Sequence, residues 1–205
     1  MIDIWQFEIE PKQKSEPFLR QALAHYISAN DLIIERGEFG KPTLRDFPEW
    51  HFNISHSGTK MVLAISHEIP VGIDIEQIKS RKSLENLVKK CFAPSEQTYW
   101  FALPENEKLT VFYDFWTRKE SVVKGIGRGI ALGLNLCEID VEQQNRFLNL
   151  PNNEIWHTQK IQFSGDYCVT IATQRADVIV NSRSFIGKTL IYNRCCAGFR
   201  ALVHK

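Results

Sequence analysis

The chain lacks a surplus of either charge: Lys and Arg number 25 against 24 Asp and Glu among 205 residues, a formal net charge of +1. A molecule so nearly neutral has no broad field of the kind that holds nucleic acid irrespective of sequence, so no nucleic-acid partner is expected. Zinc-type cysteine spacing is missing as well. The cysteines (Cys91, Cys137, Cys168, Cys195 and Cys196) are odd in number, include no Cys-x-x-Cys and join no Cys/His cluster. No apolar run is long enough to cross a bilayer. The opening MIDIWQFEIEPKQK has none of the basic-then-apolar design of a secretory leader. Together these absences set the expectation of a reduced, cytoplasmic protein with no membrane partner. Low-complexity segments and fixed-period repeats are also absent.

What the chain does have is apolar material, 43% of its residues, enough for one sizeable core or two small ones packed together. Apolar and polar residues alternate over residues 2–9, with a slip before Phe7, which predicts a strand. Helical spacing follows at Leu19, Leu23, Tyr26 and Ile27, then a turn-rich stretch at Gly37, Gly40 and Pro42. Short strands are expected at 51–55, 61–66 and 71–76, joined by short polar connections. Helices are expected at 84–91, 95–103 and 108–124, the last ended by Gly125, Gly127 and Gly129. Strands resume at 136–141, 154–163 and 167–173. Helices and antiparallel-type strands are thus mixed without a βαβ rhythm, which predicts an α+β fold. Residues 175–205 differ in texture, carrying six Lys/Arg against the single acid Asp177. Such a tail reads either as a dock for an acidic partner or, the preferred reading, as a poorly ordered solvated extension.

Three segments carry chemistry. In VGIDIE (71–76), a strand puts Val71, Ile73 and Ile75 on one face and Gly72, Asp74 and Glu76 on the other. Two carboxylates side by side repel, so a cation between them is one reading and a solvated outer face of an edge strand the other. In the helix LTVFYDFWTRKESVVKG, counting in fours places Phe112, Trp116, Glu120 and Lys124 on one stripe. The aromatics turn that stripe inward, where a carboxylate and an ammonium need partners. An exposed Glu120–Lys124 pair would satisfy the spacing equally. In FNISHSG (52–58), Phe52 and Ile54 face the core and Asn53 and Ser55 face away, while His56, Ser57 and Gly58 are read as a donor-rich turn suited to phosphate. Ser55 and His56 are neighbours in a strand and point apart, which argues against a hydrolase triad.

Taken together, GKP (40–42), FNISHSG (52–58), VGIDIE (71–76), CFAPSE (91–96) and FWTRKESVVKGIGRGI (115–130) resemble the Sfp-type 4′-phosphopantetheinyl transferases. All five stand in the family's order and cover roughly residues 37–173. The resemblance implies a pseudodimer of two similar α/β halves, an N-terminal half at 1–69 and a C-terminal half at 70–174, with the site between them and a monomeric protein. It implies transfer of 4′-phosphopantetheine from coenzyme A to a serine of an apo acyl, peptidyl or related carrier protein, releasing adenosine 3′,5′-bisphosphate. Asp74, Glu76 and Glu120 would hold Mg2+, with Mn2+ accepting the same oxygen ligands. Lys41, Ser55 and His56 would contact coenzyme A phosphates, Lys124 would stabilise the bridging oxygen, and Glu120 would accept the serine proton. This chain departs from the family in a shortened segment between the first strand and the first helix, and in the unmatched basic tail. Two other readings use the same residues: a homologue that binds coenzyme A or a carrier protein without turnover, and a metal-dependent phosphodiesterase.

Overall fold

The computed structural model describes residues 1–10, 12–28, 32–129, 133–143, 146–151, 153–186 and 189–194. Ile130 of the last motif, Cys195, Cys196 and tail residues 187–188 and 195–205 lie outside the described residues.

Strand β1 (Ile2–Glu8) feeds two cores at once. Trp5 and Phe7 pack with Leu19, Ala22 and Leu23 of helix α1 (Glu16–Leu23). Ile2 and Ile4 point the opposite way, into a second core. The slip in its alternation follows from this: a strand covered on both faces has no polar side to alternate with. Next come a hairpin of β2 (Ile34–Arg36) and β3 (Pro42–Leu44), then β4 (Trp50–Ser57) and β5 (Lys60–His67), antiparallel to each other. Strand β5 also pairs antiparallel with β1.

At β6 (Val71–Gln77) the chain leaves that sheet. Helices α2 (Leu84–Cys91), α3 (Pro94–Ala102) and α4 (Glu105–Ile126) follow. A small hairpin of β7 (Glu138–Ile139) and β8 (Phe147–Asn149) precedes β9 (His157–Lys160) and β10 (Tyr167–Thr173). Strands β6, β10 and β9 form a three-stranded antiparallel sheet. Its apolar face, Val71, Ile73, Ile75, Val169 and Ile171, packs against Ile2, Ile4, Val62 and Ala64 of the first sheet. The fold is therefore mixed α+β, as the sequence implies.

The tail is the correction. Strand β11 (Val180–Ile186) runs parallel to β1, from Ile2 opposite Val180 to Gln6 opposite Ser184, and β12 (Thr189–Arg194) pairs antiparallel with β11. The first sheet thus has the order β12-β11-β1-β5-β4. The expectation of a solvated extension fails over these residues because they pair as strands and one of the tail's cations, Arg183, has a buried partner. Arg183 meets Asp3 at 2.5 Å, Asn181 Nδ2 donates to Asp3 Oδ1 at 2.9 Å, and Tyr26 donates its hydroxyl to Asp3 Oδ2 at 2.5 Å. Val180 joins the core beside Ile2. A parallel partner needs a long crossover, here the entire intervening chain, and no local periodicity reports that.

Candidate active site

Strand β6 and helix α4 cross at close quarters, and Gly72 permits it. A Cβ on Gly72 would lie 1.9 Å from the Ser121 carbonyl oxygen and 2.5 Å from the Gly125 nitrogen. Gly125, expected to end the helix, is inside it instead; a Cβ there would meet the Trp156 ring at 2.5 Å. The terminator is Gly127, in the left-handed conformation at φ 82° that glycine adopts without penalty. The polar face of β6, with Asp74 and Glu76, is thereby held against the segment of α4 that carries Glu120 and Lys124.

Besides α4 and its sheet partner β10, β6 neighbours β4. No backbone ladder joins β6 and β4; side chains of β4 do the work. Asn53 Oδ1 accepts from Ile73 N (2.9 Å), Ser55 Oγ from Ile75 N (3.3 Å) and Ser57 Oγ from Gln77 N (3.0 Å). Each serine then gives its own proton to the carboxylate beside it, Ser55 to Asp74 Oδ1 at 2.8 Å and Ser57 to Glu76 Oε2 at 3.0 Å. The expected turn at His56–Gly58 begins later than the sequence suggested: β4 runs through Ser57 and reverses at Gly58–Thr59. Alternation therefore continues through Ser57, and His56 is exposed.

Lys124 donates to Asp74 Oδ1 at 2.5 Å and to Ser55 Oγ at 2.9 Å. The expected alternative, an exposed Glu120–Lys124 pair, is not the contact the ammonium makes. Burial pushes the Asp74 carboxyl up, while the Lys124 charge, its hydrogen bond and that of Ser55 pull the other way. Glu120 is pushed up chiefly by burial, then by the charges of Asp74 and Glu76, against Lys124. The three carboxylates thus share one neighbourhood and feel one another. Among the described residues no group of three or more His, Cys, Asp or Glu is drawn close enough to form a ready cation cage. One feature fits a cation directly: Asp74 Oδ2 is buried with no hydrogen-bond partner, and an orphaned carboxylate oxygen is costly unless something positive meets it.

Beside this cluster lies a hollow of about 310 Å³ lined by Arg36, Lys41, His56 and Lys124 together with Phe39 and the backbone of Gly127 and Gly129. Among the described residues its lining includes three cationic side chains and no carboxylate, which suits an anion. Lys41 crosses it to donate to the Gly125 carbonyl at the end of α4, and burial lowers its pKa to about 8, partly opposed by Glu154. A larger hollow of about 400 Å³, around Arg81, Lys82, Trp100 and Lys108, contains none of the sequence-nominated residues.

Sequence reasoning missed a fully buried pair, Glu96 with Lys119 at 2.6 Å. Glu96 accepts from Ala93 N and Ile139 N, and Lys119 donates to the carbonyls of Leu134 and Cys137. Burial pushes Glu96 up and Lys119 down, while their mutual contact acts in the opposite direction on each. These are residues of the CFAPSE and WTRKES segments, and they pin the helix face next to Glu120. Their signal, a charged residue at an apolar phase of α4, was present but had no visible partner.

Comparison with known proteins gives the family. The family model described as the 4′-phosphopantetheinyl transferase superfamily matches residues 70–172. A 4′-phosphopantetheinyl transferase of Bacillus subtilis is 32% identical over 161 residues, 70% of either chain. The 4′-phosphopantetheinyl transferase Sfp of Bacillus subtilis strain 168 is 35% identical over 130 residues, 63% of this chain and 57% of that protein. The 4′-phosphopantetheinyl transferase AcpT of Escherichia coli K12 is 39% identical over 109 residues, 53% of this chain and 55% of that protein. The match therefore spans little more than half the length of several such relatives. The chain belongs to the 4′-phosphopantetheinyl transferase superfamily.

Proposed function

We propose that the protein transfers 4′-phosphopantetheine from coenzyme A to a serine of an apo acyl, peptidyl or related carrier protein, with release of adenosine 3′,5′-bisphosphate. The observation that carries this is the junction of two environments at Lys124: a hollow lined with cations on one side, three carboxylates on the other. A diphosphate seated in the hollow brings its reacting phosphorus to that junction.

Lys41 and His56 bind phosphate oxygens from the hollow wall. Ser55 already gives its proton to Asp74, so it acts on the phosphate through Lys124 rather than by direct donation. Asp74, Glu76 and Glu120 would hold Mg2+, or Mn2+ with the same hard oxygen ligands. Such an ion, when bound, would supply charge neutralisation to the diphosphate. Glu120, directly or through a water, accepts the proton of the carrier serine as its oxygen attacks phosphorus. Lys124 stabilises the bridging oxygen as that P–O bond breaks and supplies a proton to the departing adenosine bisphosphate. The halves divide near residue 70 as a pseudodimer, strands β11 and β12 joining the sheet of the N-terminal half, and the protein works as a cytoplasmic monomer. Among the described residues no helix is long and apolar enough to cross a membrane.

The test is carrier-dependent release of adenosine 3′,5′-bisphosphate, compared between the wild type and Glu120→Ala. Release that needs both coenzyme A and apo carrier, and that vanishes in the variant, supports the proposal. Hydrolysis without a carrier would point to a phosphodiesterase, and binding without release to a non-catalytic homologue.

A further inference from the structure

One strand bears two kinds of chemistry on its opposite faces. His56 of β4 faces the cationic hollow, while Ser55 and Ser57 face β6. Ser55 and Ser57 lie two residues apart, as do Asp74 and Glu76, and each serine meets one carboxylate at 2.8 Å or 3.0 Å. The resulting ladder is a matched pair of contacts between parallel segments.

The direction of each hydrogen bond is settled by chemistry. A serine hydroxyl has one proton to give. Ser57 Oγ accepts from Gln77 N at 3.0 Å, and a backbone N–H can only donate. The single proton of Ser57 is therefore committed to Glu76 Oε2, and the glutamate is tied at that oxygen and in that orientation. Arg81, at 3.8 Å from the same oxygen, is a looser partner. Glu76 is half-buried at the end of β6, where its side chain has more torsional freedom than Asp74. Asp74 is fixed three ways, by Ser55, Lys124 and burial; Glu76 depends on Ser57 more heavily.

We propose that Ser57 is a positioning residue: it presets the Glu76 carboxylate for the divalent cation and touches neither coenzyme A nor the carrier serine. The inference rests on the assignment of Asp74, Glu76 and Glu120 as metal ligands. A hydrogen bond that orients a metal-binding carboxylate commonly governs metal affinity by about tenfold or more.

The experiment compares Ser57→Val with Ser57→Thr in the full chain. The two side chains have the same shape and both suit a strand, so a difference between them reports the hydroxyl rather than packing. Mn2+ affinity is measured by titration calorimetry or by the resonance of the free ion, together with the KM for coenzyme A at saturating metal. Ser57→Val should weaken Mn2+ binding by about tenfold and leave that KM unchanged, and Ser57→Thr should restore wild-type affinity. A folded Ser57→Val that binds Mn2+ as the wild type does overturns the proposal, whatever its melting temperature. Asp74→Asn serves as the reference: if it too leaves Mn2+ affinity unchanged, the metal assignment has failed and the positioning role falls with it. Loss in Asp74→Asn without loss in Ser57→Val sinks the positioning role alone.

Discussion

Gly72→Ala adds one methyl group at the point where strand and helix backbones meet. Its Cβ would sit 1.9 Å from the Ser121 oxygen, 2.5 Å from the Gly125 nitrogen and 2.8 Å from the Gly125 Cα, all main-chain atoms that no rotamer change can move. To reach even the tightest tolerated carbon contact the helix must back away by about 1 Å, and overpacking of this kind costs about 1–3 kcal/mol. For a chain of this size that is a fall in Tm of roughly 2–12 °C. The displaced segment, Ser121 to Gly125, is flanked by Glu120 and contains Lys124, whereas Asp74 stays with β6. A misplacement of about 1 Å between reacting groups can cost on the order of 100-fold in rate. Gly72→Ala should therefore lose far more transfer activity at 20 °C than its residual fold explains. Circular dichroism melting and an initial-rate transfer assay check both parts, with Gly37→Ala as control, since a Cβ there meets only an ordinary 3.7 Å contact. A Gly72→Ala protein with wild-type Tm and rate would refute the close-packing account of the site.

Lys124→Ala should lower kcat on the order of 100-fold or more, the usual loss when a transition-state donor is removed, with a much smaller change in the KM for coenzyme A; steady-state kinetics showing the reverse split would mean that the ammonium serves binding alone. Arg183→Ala removes a cation from Asp3, which is only 6% exposed, and should destabilise the fold by about 3 kcal/mol while leaving the rate per folded molecule unchanged; urea unfolding measures this. Lys41 gives a pH signature. Burial lowers its pKa to about 8 from 10.5, so above pH 8 the unfolded chain holds more protons at this site than the folded one and stability rises with pH up to about 10.5. Below pH 8 the ammonium is charged in both states and the burial penalty is present in full. The difference in unfolding free energy between Lys41→Met and wild type should accordingly narrow or change sign between pH 8 and 10, as read from paired urea titrations.

Much of this was legible in the residues. The alternation of VGIDIE placed Val71, Ile73 and Ile75 in the inter-sheet core and Asp74 and Glu76 on the face toward α4, because a strand's period of two leaves no other choice. Helices α2 and α3 fall within about two residues of their predicted ends, since Pro94 and Pro104 bound the second of them and admit little slippage. Contacts made across long stretches of chain were not legible. The partner of Lys124 is Asp74, fifty positions away, whereas helical spacing offered Glu120 close at hand. Arg183 and Asp3 meet across 180 residues of chain, and a basic tail looks the same in sequence whether it is solvated or folded back. The sequence reads Ser57 as part of a turn, yet the strand holds two residues longer than expected, through Ser57, whose hydroxyl meets Glu76.

The most direct measurement is the intact mass of an apo carrier protein after incubation with this protein, coenzyme A and Mg2+, beside a control containing a chelator. A mass increase of one phosphopantetheine group that appears with Mg2+ and is absent with the chelator is the predicted result. An unchanged mass with several kinds of carrier, from protein shown to be folded, would contradict it.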